Sequence, residues 1–343
     1  MKSILFYGPE DVRYEDIDKP SPKKGEVLVK IKYAATGGTD LKTYLRGHPR
    51  IIKEIPSRFG YELVGEIEEL GEAVDNFKVG DNVVPANTAP CYECFFCKKE
   101  EYSLCENLEF LNGSFSEYII IPANIVKHNL YKLKEGADLQ TAVMTQTLAV
   151  ALHGYERSNI KDGDFVTVYG LGAIGQSFIK IAKKLNNVKV IALGRSKQKL
   201  DLAETNGADF LIDIKNLDGT DIERKVKEIC PYGTDVLIEA VGKEEAWQNC
   251  IKLVRPGGLI NYFGGCKKGT NIELDTYRVH YEEIKIIGVF HHSPKYIESA
   301  LRMIENSEID MSDLISEEII LKDFKTAMEK HRQGKVFKIL IKI

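Results

Sequence analysis

Four cysteines, Cys91, Cys94, Cys97 and Cys105, fall within fifteen residues of a chain that has seven in all. The stretch reads "CYECFFCKKEEYSLC". Four thiolates that close suit a tetrahedral zinc ion, which asks for little beyond four soft ligands at bonding distance. Such a metal could act on a substrate, or it could only pin a loop. A site closed by four cysteines leaves no coordination position for a substrate, so a structural role is expected. Cys230, Cys250 and Cys266 stand alone, and each reads as a small buried hydrophobe.

A second motif is "GLGAIG", which sets Gly170, Gly172, Ala173, Ile174 and Gly175 between a strand-like "DFVTVYG" and a helix-like "AIGQSFIKIAKKL". The glycines permit a tight turn and a close backbone approach to a pyrophosphate resting on the helix N-terminus. With strand, helix and a further β-unit in place, the motif reads as a dinucleotide-binding loop. Ala240 and Val241 close the later run "DVLIEAV", and Phe263 lies in "GLINYFG"; these are further candidates to line the cofactor. About 20 residues past such a loop, an NAD site normally presents Asp or Glu to the ribose 2′-hydroxyl. Here "VKVIALGRSKQK" offers no acid before Asp201, and Gly194 is followed by Arg195, Ser196 and Lys197. A carboxylate would repel a 2′-phosphate, whereas Arg195 can grip one in bidentate fashion. The plainer alternative is that these residues merely start a solvated helix. The electrostatic argument favours NADP(H) over NAD(H).

These motifs need elements to hold them. A chain of 343 residues suggests about two domains at ~100–200 residues each. With 43% apolar and 29% charged residues it can bury a core and stay soluble. The net charge of −4 is interspersed, which argues against nucleic-acid or membrane-surface partners. The start, "MKSILFYGPEDVRYED", has an apolar run far too short for a secretory segment or a span, so a cytoplasmic protein is expected. In that reducing setting, clustered cysteines favour metal over disulfides.

From residue 1 to about 130 the texture is β, with short runs such as "EVLVKIKY", "LVGEIEEL" and "SEYIIIP" separated by Gly and Pro. That spacing favours a barrel-like or sandwich domain. From about 140, "TQTLAVALHGYERSN" reads as a helix, after which strands and helices alternate as in a doubly wound parallel sheet. After about 292 one helix, "SPKYIESALRMIENS", and a closing strand, "VFKILIKI", are expected to return to the first domain. The division expected is therefore 1–146 completed by 293–343, with a metal lobe at about 87–110, and 147–292 for the dinucleotide.

Taken together, these residues resemble the medium-chain zinc-dependent dehydrogenases, which include alcohol, polyol, sugar and threonine dehydrogenases. The resemblance spans nearly the whole chain. It rests on "FGYELVGEIEELGEAVDNFKVGDNVV", with Gly60, Glu62, Gly65, Gly80, Asp81 and Val83 in the family pattern, and on "GGTD" at 37–40. "GSFSEYI", "RPGG" at 255–258, the nucleotide loop and the cysteine spacing complete it. It implies an α/β protein: a GroES-like β-barrel catalytic domain plus a doubly wound parallel-sheet Rossmann domain, with one structural zinc on the four cysteines.

The family's second zinc performs catalysis, and its ligand positions are altered here. The usual Cys falls at Gly37 and the usual His at Tyr61, a phenol of pKa ~10. Glu62 is retained, and the acid that often precedes the "LAVALH" helix falls at Gln146. One carboxylate, one amide and one phenol do not make three good zinc ligands with an open position. The resemblance puts Thr39 at the proton-relay position, Asp40 at a supporting acid, and Lys42 where many relatives have a relay His. Tyr61 could donate a proton, its pKa lowered by Lys42, or it could simply fill the hole left by the metal. Lone histidines, among them His48, His153, His291 and His292, carry no assignment.

Three functions compete. The leading one is an NADP(H)-dependent oxidoreductase on a small alcohol, polyol, sugar or carbonyl compound, working without catalytic zinc. The alternatives are a zinc-free quinone or enone reductase, and a dinucleotide-binding protein without turnover. A homodimer or homotetramer is expected if "EIKIIGVF" (283–290) is a sheet edge, and the resemblance points the same way.

Overall fold

A computed structural model describes residues 1–49 and 51–343. The chain forms two compact units, Met1–Gln146 with His292–Ile343, and Thr147–His291, so that His292 groups with the first. The expected fold class, a GroES-like domain and a parallel Rossmann sheet, is what the strands build.

In the first unit the strand Val27–Ala35 runs between Glu62–Leu70 and Lys338–Lys342, antiparallel to both. Its β-branched residues fit a pleated surface. Val27, Val29 and Ile31 pack with Leu63, Ile67, Val83, Ile119 and Ile121 as one core. Across the sheet Phe59 meets Phe115 and Phe324 edge-on, with ring centres 5.2 and 5.3 Å apart, a favoured arrangement for aromatic quadrupoles. Register then brings three strand ends together. Ala35 pairs with Glu62 on one side and Leu340 on the other. The Thr36 N–H donates to the Ile339 carbonyl at 3.0 Å, which carries Gly37 to Lys338.

Two expectations about this unit are corrected. The β texture to residue 130 is interrupted by helices Gly38–Arg46 and Ala123–Asn129. The first is started by Asp40, whose carboxylate accepts the Gly37 N–H at 2.8 Å, a side chain satisfying a donor at the helix N-terminus. The segment after 292 holds more than one helix and a strand. A strand Ile315–Ile320 lies parallel to Lys338–Lys342, and a helix Phe324–Arg332 joins them. The two glutamates in "ISEEII" are consecutive and so lie on opposite faces, Glu317 half-buried and Glu318 exposed, which obscures the strand's apolar alternation.

The second unit is a parallel six-stranded sheet. Its order is Phe210–Asp213, Lys189–Gly194, Phe165–Tyr169, Thr234–Glu239, Val254–Tyr262 and Lys285–Gly288. The strand order reverses beside Phe165–Tyr169, the switch point where doubly wound sheets bind ligands. The central strands are buried on both faces, as crossover helices require. Among the described residues the last strand pairs with Val254–Tyr262 alone, and Ile286 on it is exposed. Cys230 and Cys250 are buried, each bonded to a carbonyl one helical turn back. Cys266 departs from expectation: it lies half-buried in the loop after Val254–Tyr262, outside the core. Among the described residues no helix is long and apolar enough to cross a membrane.

Candidate functional site

The cysteine lobe leaves the sheet between the short paired strands Thr88–Ala89 and Glu109–Phe110. Cys94 opens the helical turn Phe95–Lys98, and Cys97 sits within it. The four sulfurs lie within 4.8 Å of one another, with Cys91–Cys97 and Cys94–Cys105 at 4.0 Å and Cys91–Cys105 at 3.5 Å. A tetrahedral zinc with bonds of ~2.3 Å would need sulfurs ~3.8 Å apart. The donor set and the spacing therefore fit zinc. Backbone N–H groups of Glu93 and then Cys94 point at the Cys91 sulfur and pull its thiol down to about 6, toward the thiolate a metal needs. Among the described residues this is the one group of three or more Cys, His, Asp or Glu ligands close enough for an ion.

The nucleotide loop follows Phe165–Tyr169 and leads into the helix Ala173–Leu185, with Gly172 at its N-cap. A Cβ at Gly175 would lie 1.9 Å from the Gly170 carbonyl oxygen, so only glycine lets helix and strand approach this closely. A Cβ at Gly172 would meet nothing within 4 Å, leaving open space at the helix N-terminus, where backbone donors and the helix dipole favour an anion. Ala173 and Ile174 form the first turn.

At the end of the next strand, a Cβ on Gly194 would fall 2.6 Å from Cδ1 of Leu171. The loop's own leucine thus occupies the room an acidic side chain would need. Arg195 is exposed and meets Glu245 at 3.2 Å. Ser196 is the N-cap of Lys197–Thr205 but makes no capping bond with its side chain. The Ala240 N–H donates to the Tyr169 carbonyl at 2.8 Å, and Val241 is partly exposed. Phe263 does not stand free at its strand end: its ring meets Phe178 edge-on at 5.1 Å and closes over Gly154. The sequence gives no warning of Glu239, buried just before Ala240, whose carboxylate accepts the N–H groups of Val241 and Gly242 at 2.8 and 2.9 Å. Burial pushes it up to about 7, against those donors.

Gly37, Tyr61 and Glu62 meet at the three strand ends of the first unit. Gly37 is buried and offers no side chain, and Glu62 is buried at the start of its strand. The Glu62 carboxylate is held by Nζ of Lys338 at 2.6 and 2.7 Å, an ion pair whose side chains are 3% and 5% exposed. A Cβ on Gly37 would come within 2.9 Å of that Nζ and 3.8 Å of Asp40 Oδ2. Asp40 is raised to about 7, first by burial and then by the Glu62 charge, while Lys338 and the Gly37 N–H work against the shift.

Tyr61 joins this group, its phenol facing Asp40, Glu62 and Thr39. Its phenol is raised well above the ordinary tyrosine value by burial, then by Asp40 and Glu62. This corrects the expectation about Lys42. Lys42 is exposed on its helix and does not figure among the charges acting on Tyr61, which is surrounded by anions and is not lowered. The phenol therefore holds its proton at neutral pH and can donate it, but it is not a phenolate ligand. Gln146 places its carbonyl oxygen in a buried position with no hydrogen-bond partner among the described residues.

The residue missed by sequence reasoning here is Lys338. In "VFKILIKI" it alternates with apolar residues and reads as outward-facing, yet residues 338–341 are all buried because neighbouring elements cover both faces. Glycine, phenol and ammonium do not fit a zinc ion: one has no donor atom, one is protonated, and one has no lone pair.

Comparisons with known proteins agree along the whole length. Residues 23–132 match the family described as alcohol dehydrogenase GroES-like domain, and residues 173–306 the family described as zinc-binding dehydrogenase. The sorbitol dehydrogenase of Halalkalibacterium halodurans is 30% identical over 350 residues, covering 99% of each chain. The erythritol/L-threitol dehydrogenase of Mycolicibacterium smegmatis is 30% identical over 357 residues, covering 98% of this chain and 95% of its own. Among solved structures, 2R,3R-butanediol dehydrogenase from Bacillus subtilis matches with a TM-score of 0.88 at 26% identity, covering 100% and 99% of the two chains.

Proposed function

The chain belongs to the zinc-dependent medium-chain dehydrogenases, oxidoreductases of CH–OH groups, and we propose that it is an NADP(H)-dependent member acting on a small polyol, sugar or alcohol and its carbonyl counterpart, without a catalytic zinc. The observation that carries this reading is the pairing of an intact nucleotide loop with an altered metal position in one chain. Its polyol dehydrogenase relatives support the substrate class.

NADP(H), when bound, supplies or accepts the hydride. Gly170, Gly172 and Gly175 give the pyrophosphate its backbone donors and the helix N-terminus. Arg195 takes the 2′-phosphate, which asks it to leave the exposed pair with Glu245; such pairs contribute ~0–1 kcal/mol, so the exchange is easy. Ser196, at the start of the same helix, adds a hydroxyl. In the first unit the Tyr61 phenol and the Thr39 hydroxyl hold the proton that the substrate oxygen gains or gives. Gln146 offers its unpaired carbonyl as an acceptor for a substrate hydroxyl, since a buried acceptor without a donor is costly. The four cysteines hold a structural zinc, which stiffens their lobe and takes no part in turnover.

The exposed edge strand Lys285–Gly288 supports assembly into a homodimer or homotetramer through sheet pairing, which light scattering at micromolar concentration reads directly. A cytoplasmic setting suits the lobe, because clustered cysteines in a reducing compartment favour metal over disulfides.

The reading is tested by following nicotinamide absorbance with a panel of polyols, sugars and carbonyl compounds, using both cofactors. Turnover of polyols or their ketoses with NADP(H) supports it. Turnover confined to enones or quinones moves the chain to the zinc-free reductases. Cofactor binding without turnover on any substrate makes it a binding protein.

A further inference from the structure

We propose that Arg58 is an oxyanion-binding residue of the substrate site, so that the polyol or sugar this chain turns over carries a phosphate or carboxylate group. The inference rests on the reading of the chain as a polyol or sugar dehydrogenase, and it narrows that substrate class to its anionic members.

Arg58 is a half-buried cation without a counter-charge. Among the described residues its guanidinium meets no acceptor and no carboxylate. Burial alone acts on its pKa and lowers it, with no acid to raise it back. Arginine carries five N–H donors and keeps its charge in proteins, so taking it from water without a partner costs free energy. The backbone under it is nonetheless firmly held. Arg58 pairs with Leu5, and its carbonyl accepts the Ser57 hydroxyl at 2.9 Å and the Asn112 amide at 2.6 Å. Its stem lies along Gly113, where a Cβ would come 3.3 Å from Cβ and 3.4 Å from Nε of Arg58.

The groups around it are unpaired in a complementary way. Asn112 donates from Nδ2 to the carbonyls of Arg58 and Ile51, at 2.6 and 3.3 Å, which fixes the way its amide faces. Its buried Oδ1 is left with no donor among the described residues. Ser114, wholly out of solvent against Gly60, has a hydroxyl that is likewise unpartnered there. The Gly60 carbonyl accepts the N–H groups of Gly113 and Ser114 at 2.7 and 3.0 Å, so segments 58–60 and 112–114 are bound to each other. Tyr61 follows directly, and three residues of chain keep its Cα within ~11 Å of that of Arg58, a span that a short polyol bridges. A phosphate or carboxylate matches the guanidinium fork in bidentate fashion. A hydroxyl next to it supplies the donor that Asn112 lacks, and the reacting carbon is left for the phenol.

The test reads binding rather than turnover. The native chain with NADPH is titrated by calorimetry with xylitol and sorbitol, with their terminal phosphate esters, and with the aldonates of the same carbon chains; reduced cofactor and reduced ligand cannot react. One anionic series should bind at least ~10-fold more tightly than the parent polyols, and the tighter series tells phosphate from carboxylate. Arg58→Met should weaken that series by ~10–100-fold and leave the parent polyols unchanged, while Arg58→Lys, which keeps the charge without the fork, should fall between. Equal affinity of the native chain for neutral and anionic compounds, or binding of none of them, would overturn the proposal, and this comparison decides even where a variant does not fold. Arg58→Met weakening both kinds of compound alike, or lowering the urea midpoint with anion binding intact, would assign Arg58 to the fold instead. The reading of function fails separately, on absent NADPH-dependent turnover of every polyol, sugar and carbonyl compound by the native chain, whatever their charge.

Discussion

Nζ of Lys338 lies 2.6 and 2.7 Å from the two carboxylate oxygens of Glu62, with both side chains almost wholly out of solvent. Removing one partner of such a pair strands the other charge in a medium that cannot solvate it. Lys338→Met should therefore cost about 3–5 kcal/mol in urea unfolding. Lys338→Met with Glu62→Leu should cost less than Lys338→Met alone, because no charge is then left unpaired. A single variant as stable as the native chain would mean that the pair is solvated.

Asp40 sets a pH dependence of stability. Its carboxyl is held at about 7 in the folded chain, chiefly by burial and then by Glu62, against ~3.9 when unfolded. Between those values the folded state holds a proton that the unfolded state has released. Stability should then be fullest in acid and fall as pH rises from about 4 to about 7. Glu239, also raised to about 7, adds the same sign. Asp40→Asn should flatten the slope by up to ~1.4 kcal/mol per pH unit, measured by denaturation at several pH values. An unchanged slope would show Asp40 ionised in the folded chain.

These two groups mark where the sequence could be read and where it could not. The cysteine lobe and "GLGAIG" are local: ligand spacing and glycine turn chemistry lie within a few residues, the four sulfurs gather within 4.8 Å, and the loop leads from strand into helix. The losses at Gly37 and Tyr61 were legible too, as departures from a pattern. Lys338 was not, because it reaches Glu62 across 276 residues and only sheet register brings it there. The helix Gly38–Arg46 was hidden for a related reason. It is short and starts straight from a strand, so its three buried positions do not stand out from the β texture around them.

Tyr61→Phe removes a hydroxyl and little volume. A positioned general acid contributes ~10²–10⁴-fold, so kcat should fall by about that much while NADPH affinity holds. Since Lys42 does not figure among the charges acting on the phenol, Lys42→Met should leave the pH–rate profile in place. A fully active Tyr61→Phe enzyme would reduce Tyr61 to a space-filler.

Arg195→Ala should weaken NADPH binding by ~1–3 kcal/mol, as for a charge-assisted contact, and barely alter NADH binding. Nicotinamide fluorescence titration measures both. Equal losses would place Arg195 away from the 2′-phosphate. Gly194→Asp should require the Leu171 side chain to shift, since its Cβ would lie 2.6 Å from Cδ1 of that leucine.

The central claim is a dehydrogenase that keeps a lobe zinc and works without a catalytic one. Metal content determined on the same sample as NADPH-dependent turnover tests it most directly. The account predicts one zinc per chain in fully active protein, lost on Cys94→Ser together with stability, because metal binding drives folding of the lobe. Two tightly held zincs per chain, with activity following the second, would contradict it.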